Sequence, residues 1–410
     1  MKILNFGSCN IDYVYSTMHI VKVGETISSD QLKIFPGGKG LNQAIATARA
    51  GSDIYFAGAL GTDGQMLKEI LSESGVDTSL MTSVAEKNGH AIIQVTDSAE
   101  NSIIIYPGSN GMISCEYVDS VLENFDSGDF IVLQNEINNI NYIIRSAYKK
   151  GLRIVLNPSP FNDKMNDVDF SMISYLMVNE VEAAQITGVN KPEECLNYFK
   201  AKYPELRVVM TLGAEGCVYV DKNEEVWQSA FLVEAVDTTA AGDTFTGYFV
   251  AKLADGASVA EALKLSSLAS AISVSRKGAA PSIPVMDEVL AALKELKPRK
   301  GDNKTDRLKA KIESYIDENI SVATLSSLAK ELGYSSTYTG SLVKKVFADS
   351  FCTLLQKRRC EVAHDMLLNT NASVSEIIEK VGYNNESFFR KKFKERYGKT
   401  PLHFRNRDVK

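Results

Sequence analysis

The chain has 410 residues, a formal net charge of −6 and 44% hydrophobic residues. Single hydrophobic cores stop growing below this length, so the chain is expected to fold as two domains. The six cysteines form no C-x-x-C motif or Cys/His cluster, which argues against a disulfide framework or a zinc site. No stretch approaches the roughly 18 apolar residues of a membrane span, and the start, "MKILNFGSCNIDYVY", lacks the pattern of a signal peptide. We therefore predict a cytoplasmic protein with no membrane partner.

The charges are divided unevenly along the chain. From Thr305 onward there are 19 basic and 13 acidic residues, whereas the residues before Thr305 include 26 basic and 38 acidic ones. The segment "KPRKGDNKTD" at 297–306 is polar and typical of a linker. The sequence thus predicts a first domain at 1–296, a linker at 297–305 and a second domain at 306–408.

The acidic part alternates short β-rich runs with helical segments. The β-rich runs are "KILNFG", "DIYFAGALG", "DFIVLQN", "LRIVLNP", "SYLMVN", "RVVMTLG" and "GCVYV", and the helical segments include "LNQAIATARAG" and "GQMLKEILSESG". This alternation predicts an α/β fold with a mainly parallel sheet covered by helices on both faces. Ligands of such sheets bind outside the carboxyl ends of the strands, so polar residues that follow strands are the candidates for function.

Two strings near the start supply hydrogen-bonding groups. "NID" (10–12) follows the first strand, and "PGGKGLNQA" (36–44) opens a helix with three glycines. The glycine cluster alone is also consistent with a simple tight turn, and it is not a P-loop, since G-x-x-x-x-G-K-[ST] is absent. The polar groups suited to a polyhydroxylated ligand are Asn10, Asp12, Lys39 and Asn42.

The string "DTTAAGDTFTG" (237–247) predicts an anion site. The small residues Ala240, Ala241 and Gly242 would let backbone N–H groups approach an anion at the start of a helix, where the helix dipole also favours negative charge. Asp243 lies inside this segment, where a carboxylate would act as a base toward a group bound beside the anion. The alternative interpretation is that Asp243 merely caps the helix.

These strings, taken in order, resemble the ribokinase (PfkB) family of sugar kinases. The matching strings are "NID", "GGKGLNQA", "GALGTDG", "LNPSP", "VNEVEA", "TLGAEG", "DTTAAGDTFTG" and "SRKGAAPSIP". The resemblance covers the first 290 or so residues and implies a ribokinase-like α/β fold with a small β lid, near 13–20 and 90–106, that closes over the sugar. It also implies a homodimer.

Roles follow by position from this resemblance. Asp243 would be the general base, and Ala241 and Gly242, with the Asp243 amide, would form the hole for the transferred phosphoryl group. The resemblance implies ATP, Mg²⁺ and K⁺ as cofactors. The other positions are the sugar-binding residues Asn10, Asp12, Gly38, Lys39, Asn42 and Glu136, the nucleotide-binding residues Asn179, Thr211, Gly213 and Gly216, Glu182 for Mg²⁺ through water, and Asp237, Thr239, Ser273, Gly278 and Ser282 for the monovalent cation.

The substrate is predicted from the same strings. "GGKG-x-NQA" is closer to the ribose-specific branch than to the fructose, adenosine or ketodeoxygluconate branches, which usually differ at the position of Lys39. Tyr13 replaces the histidine common after N-x-D in ribokinases. D-ribose is the leading prediction, with related pentoses next.

The basic part, 306–408, shows helical patterns alone. "SVATLSSLAKELGYSSTYTGSLVKKVF" (321–347) and "SVSEIIEKVGYNNESFFRKKF" (373–393) each contain a helix, a turn and a second helix, which predicts two helix-turn-helix units. In the second unit Phe389 and Phe393 share one side of a helix whose opposite side is basic. A solvated basic face would give the same pattern.

The whole segment resembles the AraC-type DNA-binding domain, most clearly in "RRCEVAHDMLL" and "VGYNNESFFRKKFKERYGKTPLHFR". The resemblance implies double-stranded DNA as a partner. The residues assigned to DNA are Asn385, Ser387, Arg390, Lys391 and Lys394. The first unit matches less well, because Gly340 lies inside its recognition helix and Ser341 stands where the family often has arginine.

We predict an ATP-dependent sugar kinase fused to a DNA-binding module that links sugar to transcription. One alternative is a catalytically silent regulator that uses the kinase fold as a sugar sensor, and another is an enzyme whose tail has lost DNA binding. A pure sensor does not need Asp243, Asn179 and Glu182, all of which match the active pattern.

Overall fold

The computed structural model describes residues 1–96, 98, 100–296, 298, 304–332, 335–370, 372–383 and 385–405. The chain divides into two units, residues 1–300 and 301–410. The predicted linker lies largely outside the described residues, as do Gly333 and Tyr334 of the first "LGY" string and residues 406–408 of the second predicted domain. None of the helices in the described ranges is long and apolar enough to cross a membrane.

The first unit is built on an eight-stranded sheet in the order β14-β13-β12-β11-β10-β9-β1-β4. The pairs from β12 to β4 are parallel, and β13 and β14 continue the sheet as antiparallel strands. Its strands are β1 (Ile3–Phe6), β4 (Ile54–Ala57), β9 (Phe130–Gln134), β10 (Arg153–Asn157), β11 (Tyr175–Asn179), β12 (Arg207–Thr211), β13 (Gly216–Val220) and β14 (Glu225–Ser229).

Helices cover both faces of this sheet. They are α1 (Lys39–Arg49), α2 (Gln65–Glu73), α3 (Cys115–Leu122), α4 (Ile140–Lys150), α5 (Glu180–Thr187), α6 (Pro192–Lys202), α7 (Ala241–Ala254), α8 (Val259–Val274) and α9 (Met286–Glu295). In β9, Phe130 and Val132 join the core formed with α1, α7 and α8, whereas Ile131 and Leu133 join the core formed with α3, α4 and α6. A strand buried on both faces needs such a continuous apolar run, which is why β9 was recognisable in the sequence.

A second sheet forms the lid. It has the order β3-β2-β7-β8, with strands β2 (Asn10–Ser16), β3 (Gln31–Gly37), β7 (Gly89–Val95) and β8 (Asn101–Tyr106). The short strands β5 (Ala59–Leu60) and β6 (Thr82–Ser83) pair separately. The predicted lid segments contain most of β2, most of β7 and all of β8, but β3 was not predicted and residues 17–20 lie outside the strands.

The second unit is helical in its described residues. Its helices are α10 (Lys304–Glu318), α11 (Leu325–Leu332), α12 (Ser336–Phe347), α13 (Phe351–Asn369), α14 (Val374–Lys380), α15 (Glu386–Tyr397) and α16 (Pro401–Arg405). The helix-turn-helix units are α11 with α12 and α14 with α15. The long helix α13 serves both, because Leu355 packs in the core of the first and Leu367 in the core of the second.

A glycine and an arginine hold the two helix-turn-helix units together. Gly382 has a φ of +81°, and a Cβ added there would lie 2.2 Å from the Ser321 carbonyl oxygen. Arg359 of α13 donates from Nε to the Ile320 carbonyl at 2.8 Å and lies over the Tyr383 ring. The turn after α14 therefore packs directly against the segment before α11.

Candidate functional site

A cavity of about 470 Å³ lies outside the carboxyl ends of β1, β9, β10, β11 and β12. This is the position expected for a ligand of a parallel α/β sheet. The predicted site residues that line it are Asn10, Asp12, Gly38, Lys39, Asn42, Glu136, Asn179, Glu182, Thr211, Thr239, Ala241, Gly242 and Asp243.

The start of α7 provides an open anion site. Ala240 precedes the helix with a left-handed φ of +59°, and its side chain makes no cap. A Cβ placed on Gly242 would meet nothing within 4 Å, so the backbone of the first turn faces open space in the cavity. The Ala241 N–H donates to the Thr238 carbonyl at 3.2 Å, which leaves the following N–H groups of the helix start to attract an anion.

Asp243 does not cap its own helix. Its Oδ2 accepts from Asn42 Nδ2 at 3.1 Å and its Oδ1 from Gln43 Nε2 at 2.9 Å. The side chain is only 6% exposed and lines the same cavity as Gly242. The structure thus contradicts the capping interpretation, because both carboxylate oxygens turn toward α1.

Glu136 ties together the segments that follow β1 and β3 at one side of the cavity. Its Oε2 accepts from Ser8 Oγ at 2.5 Å and from the Lys39 backbone N–H at 2.9 Å. Burial raises the pKa of Glu136, while the Lys39 ammonium and the two hydrogen bonds oppose that rise.

The charged groups around Glu136 shift the pKa values of their neighbours. Burial, together with the charge of Glu136, raises the pKa of Asp12 to about 7. Asp243, followed by Glu136 and Glu182, raises the pKa of Lys39 against the effect of burial. Lys39 is therefore a stable cation among carboxylates.

Close backbone packing explains the glycines of "PGGKGLNQA". Gly38 has a φ of +94°, and a Cβ on Gly40 would lie 2.4 Å from the Ser8 backbone nitrogen. The cluster is therefore more than a turn, since it lets α1 begin directly against the end of β1.

Asn10 and Asn42 present amides to the cavity. Asn10 Oδ1 accepts from Asn110 Nδ2 at 2.7 Å, which fixes its orientation. Asn42 Oδ1 is buried and has no hydrogen-bond partner among the described residues. A buried acceptor without a partner is uncommon, and a ligand hydroxyl would satisfy it.

Asn179 and Glu182 form a reciprocal capping box at the start of α5. Asn179 Oδ1 accepts from the Glu182 N–H at 2.8 Å, and Glu182 Oε2 accepts from the Asn179 N–H at 3.0 Å. Both side chains still line the cavity. The N-x-x-E spacing therefore has a structural reason as well as the predicted functional one.

A second cavity of about 400 Å³ shares five lining residues with the first: Thr211, Thr238, Ala241, Gly242 and Phe245. Gly213 and Gly216 line this second cavity only. Its remaining wall is mostly apolar and was not predicted; it includes Phe231, Leu232, Val233, Ala271 and Val274.

The residues predicted for a monovalent cation lie together beside α8. Asp237 Oδ1 accepts from the Thr239 N–H at 2.9 Å, and its Oδ2 accepts from the Gly278 N–H at 2.9 Å. The Asp237 N–H donates to the Val274 carbonyl at 3.1 Å. The hydroxyls of Ser273 and Ser282 are 2.7 Å apart and buried. Among these predicted residues, only Thr239 also lines the main cavity.

Sequence reasoning missed the residues that hold the site in place. These are Ser8, Gln43, Asn110 and Gln134. Gln43 stood in a quoted string and Gln134 at the end of a predicted strand, but a glutamine by itself carries no functional signal.

Helix α15 of the second unit has the predicted division into two sides. Phe389 and Phe393 are fully buried, whereas Ser387, Lys391 and Lys394 are exposed. Asn385 caps the helix by accepting from the Phe388 N–H at 3.0 Å.

Arg390 is only partly available on this surface. Its Nε and Nη2 donate to Glu386 Oε1 at 2.8 and 2.5 Å. Phe388, which was not predicted, is 40% exposed beside these cations. The surface thus combines cations, a hydroxyl and an aromatic ring, the mixture that contacts phosphates and base edges in DNA.

Models of known protein families match both parts of the chain. A model of the pfkB family of carbohydrate kinases matches residues 1–286, and a helix-turn-helix domain model matches residues 328–407. The chain belongs to the pfkB family of carbohydrate kinases and carries an AraC-type helix-turn-helix domain.

Its similarity is to ribokinases in particular. Ribokinase of Haemophilus influenzae is 37% identical over 297 residues, which cover 70% of this chain and 96% of that protein. Deoxyribokinase of Salmonella typhi is 31% identical over 302 residues, covering 70% and 97%. The structure of Arabidopsis thaliana ribokinase complexed with ribose and ATP matches with a TM-score of 0.63 and 30% identity, covering 72% of this chain and 98% of that one. Ribokinase from Cryptococcus neoformans var. grubii in complex with ADP also gives a TM-score of 0.63, at 33% identity, covering 71% and 99%.

Proposed function

We propose that the chain transfers the terminal phosphoryl group of ATP to the primary hydroxyl, O5, of D-ribose. The observation that carries this proposal is the position of Asp243, whose carboxylate lines one cavity together with the open helix start at Ala241 and Gly242 and the polar groups at Asp12 and Lys39. A base placed between an anion site and a polyol site is what phosphoryl transfer to a hydroxyl requires.

The proposed reaction is a direct transfer of the γ-phosphoryl group from ATP to the sugar hydroxyl. Asp243 accepts the proton of the sugar hydroxyl, whose oxygen forms a bond to the γ-phosphorus. The bond from that phosphorus to the bridging oxygen breaks, and its electron pair leaves with ADP. The backbone N–H groups at the start of α7 stabilise the charge on the transferred group.

The cavity chemistry supports a polyhydroxylated substrate. Asn42 Oδ1, buried without a partner, would accept from a sugar hydroxyl. Asp12, Lys39 and Glu136 add carboxylate acceptors and a cationic donor on the same side. The likeness to a ribokinase structure that holds ribose favours ribose, while the likeness to deoxyribokinase makes 2-deoxyribose the main competitor.

ATP would extend from the anion site into the second cavity, where apolar side chains such as Phe231 and Val274 suit an adenine ring. Bound Mg²⁺ would neutralise phosphate charge, and Glu182 fits a contact through water because its carboxylate lines the main cavity. For K⁺, the hydrogen bonds of Asp237 to Thr239 and Gly278 draw together the two segments whose carbonyl oxygens would hold the ion.

The test is ADP release by the full chain with Mg²⁺, K⁺ and ribose, 2-deoxyribose, other pentoses, hexoses and nucleosides. We expect the highest kcat/KM with ribose, and a requirement for Mg²⁺. Preference for 2-deoxyribose would correct the substrate but keep the class. If no sugar gives turnover but ribose raises the Tm of the first unit, the catalytically silent sensor becomes the better account.

We further propose that the second unit binds double-stranded DNA and links it to the sugar state of the first. The support is the basic outer side of α15 and the presence of both units in one chain. A ligand changes DNA affinity only if it binds the two conformations of the protein unequally. Ribose with a non-hydrolysable ATP analogue should therefore shift the Kd for the chain's own promoter. An unchanged Kd would remove the regulatory proposal and leave the kinase proposal intact.

A homodimer through the lid is proposed from an exposed apolar row. Ile34, Tyr13, Ile92 and Ile104 are paired in register across the four lid strands, so they share one face. Ile34, Ile92 and Ile104 are 48%, 38% and 63% exposed, and Tyr13 is absent from the cavity wall. A second copy of the same row would cover it. Sedimentation of wild type as a dimer and of Ile104→Lys as a monomer would support this assembly.

A further inference from the structure

A row of hydrogen-bonded amide side chains runs from Asp243, the proposed general base, into the sheet. We call Gln43, Gln134 and Asn5 the amide relay. Gln43 of α1, Gln134 of β9 and Asn5 of β1 are all fully buried. Gln43 Nε2 donates to Asp243 Oδ1 at 2.9 Å, and Gln134 Nε2 donates to Gln43 Oε1 at 2.7 Å and to Asn5 Oδ1 at 3.4 Å. Neither glutamine lines the cavity.

The direction of these hydrogen bonds is fixed by Asp243. A carboxylate only accepts, so Gln43 must turn its NH2 group toward Asp243 and its carbonyl oxygen toward Gln134. Gln134 must then present its own NH2 group to Gln43. Each amide has a single productive orientation as a result.

The end of the amide relay farthest from Asp243 carries unpaired polar atoms. Gln134 Oε1 and Asn5 Nδ2 are buried with no hydrogen-bond partner among the described residues. Gly7 makes room for Gln134, because a Cβ there would lie 2.2 Å from Gln134 Oε1. Apolar side chains would fill this space without unpaired polar atoms, so packing alone does not account for Gln134.

We propose that Gln43 and Gln134 are positioning residues that hold the Asp243 carboxylate in the orientation needed to accept the sugar proton. The inference rests on the proposed role of Asp243 as general base. Asn42 restrains one carboxylate oxygen from the cavity side, and the amide relay restrains the other from the protein interior. Misplacing a reacting group by about 1 Å can lower a rate by about 10²-fold.

The sharpest test is Gln134→Glu, which keeps the size of the side chain. An ionised carboxylate at 134 would attract the NH2 group of Gln43 and turn its carbonyl oxygen toward Asp243, so that two acceptors face each other. When the new carboxyl is protonated, its O–H donates to Gln43 Oε1 and restores the original direction. We expect kcat for ribose with ATP to be about 10²-fold below wild type at pH 8, and this ratio to shrink to about tenfold or less near pH 5.5.

The wild-type profile is the reference, because Asp12, Glu136, Lys39 and Glu182 also carry charge around Asp243. Only the ratio of variant to wild type at each pH is diagnostic. KM for ribose should stay within about threefold, since the relay does not touch the cavity. Gln134→Met, which removes the donor without adding charge, should lower kcat by a pH-independent factor, and it provides the test if Gln134→Glu does not fold.

Gln228→Leu is the matched control, because Gln228 lies in β14 at the far edge of the same sheet and its side-chain NH2 group donates to the Ser229 carbonyl at 2.7 Å, away from the relay. It should leave kcat unchanged. A kcat within threefold of wild type in both Gln134 variants would overturn the relay, as would equal losses in kcat and affinity that follow a loss of Tm. Absence of turnover in the wild type would instead refute the proposed function.

Discussion

Asp12 and Glu136 place two carboxyl groups in one largely buried cavity, where burial and the charge of Glu136 make ionisation of Asp12 harder. The pKa of Asp12 in the fold is about 7, compared with 3.8 for an ordinary aspartate. Between these values the folded chain binds a proton that the unfolded chain has released. The contribution of Asp12 to the free energy of unfolding is therefore fully present below pH 4 and is lost as the pH rises through 7.

Replacing Asp12 with asparagine removes this loss. Each pKa unit corresponds to about 1.4 kcal/mol, so we expect the first unit of Asp12→Asn to be more stable than wild type by about 1–4 kcal/mol at pH 8. At pH 4 the two should be alike. Urea unfolding at both pH values measures the difference, and ribose turnover of the variant should fall because a carboxylate proposed to bind the sugar is lost.

Asp129→Asn serves as a control, because Asp129 is a buried carboxylate at the amino end of β9, outside the cavity. It accepts from the Lys2 and Asp126 backbone N–H groups at 2.8 and 3.0 Å, and its substitution should not stabilise the protein at pH 8. Equal free energies of unfolding for wild type and Asp12→Asn at pH 8 would show that ionised Asp12 does not destabilise the fold.

Helix α15 is predicted to carry DNA affinity through its exposed cations. Arg390→Ala should weaken binding to promoter DNA by about 1–3 kcal/mol if Arg390 contacts a base edge. Glu386→Gln should tighten binding by about two- to fivefold, because it frees Arg390 and removes a negative charge near the phosphates. Fluorescence anisotropy at several salt concentrations measures both changes.

Lys222→Ala removes a comparable cation from the first unit, where Lys222 pairs with Glu205, and it should leave DNA affinity unchanged. If Arg390→Ala binds promoter DNA as tightly as wild type, the assignment of α15 as the recognition helix is wrong. An equal loss on promoter and random DNA would assign Arg390 to phosphate contact alone.

We expect the close contact between Gly382 and the Ser321 carbonyl to make the second unit sensitive to substitution at Gly382. Gly382→Ala combines a positive φ with a Cβ 2.2 Å from a carbonyl oxygen. We expect a loss of about 2–4 kcal/mol, of which the backbone conformation alone accounts for about 1–2 kcal/mol. Gly398→Ala isolates that backbone effect, since Gly398 has a φ of +74° and open space around it.

Thermal unfolding of the full chain, followed through the transition of the second unit, compares these two variants. The first-unit transition provides an internal standard. Equal losses in the two variants would mean that the Ser321 segment moves away easily and does not hold the two helix-turn-helix units together.

The elements most visible in the sequence were those with a continuous apolar run or a polar string after a strand. The strand β9, with "FIVL" buried on both faces, and the α7 start at "AAGD" are examples. Strand β3 was missed because its alternation of polar and apolar residues, from Gln31 to Ile34, is only four residues long and runs directly into "FPGG". Its strand conformation depends on pairing with β2, which a local pattern does not reveal.

The amide relay could not be predicted for a similar reason. Gln43 and Gln134 are 91 residues apart, and Gln43 and Asp243 are 200 apart. Sequence strings identify residues that touch ligands, whereas supporting residues become visible only when the fold brings them together.

At the scale of the whole molecule, an acidic α/β kinase unit and a basic helical unit are joined in one chain. The proposed electrostatic attraction to DNA would therefore belong to the second unit, where 19 basic residues follow residue 304. The first unit brings the residues proposed for catalysis to one cavity, and a sensor of sugar alone would not need them. Both observations favour an enzyme that also binds DNA.

The measurement that tests this account most directly compares wild type with Asp243→Asn in the full chain. We would follow ribose-dependent ADP release and, on the same samples, ribose binding by calorimetry. The account predicts that kcat falls by about 10²–10⁴-fold while the Kd for ribose changes by less than about threefold, because the base is lost and the sugar ligands remain. Turnover of Asp243→Asn within tenfold of wild type would contradict the assignment of Asp243 as the base.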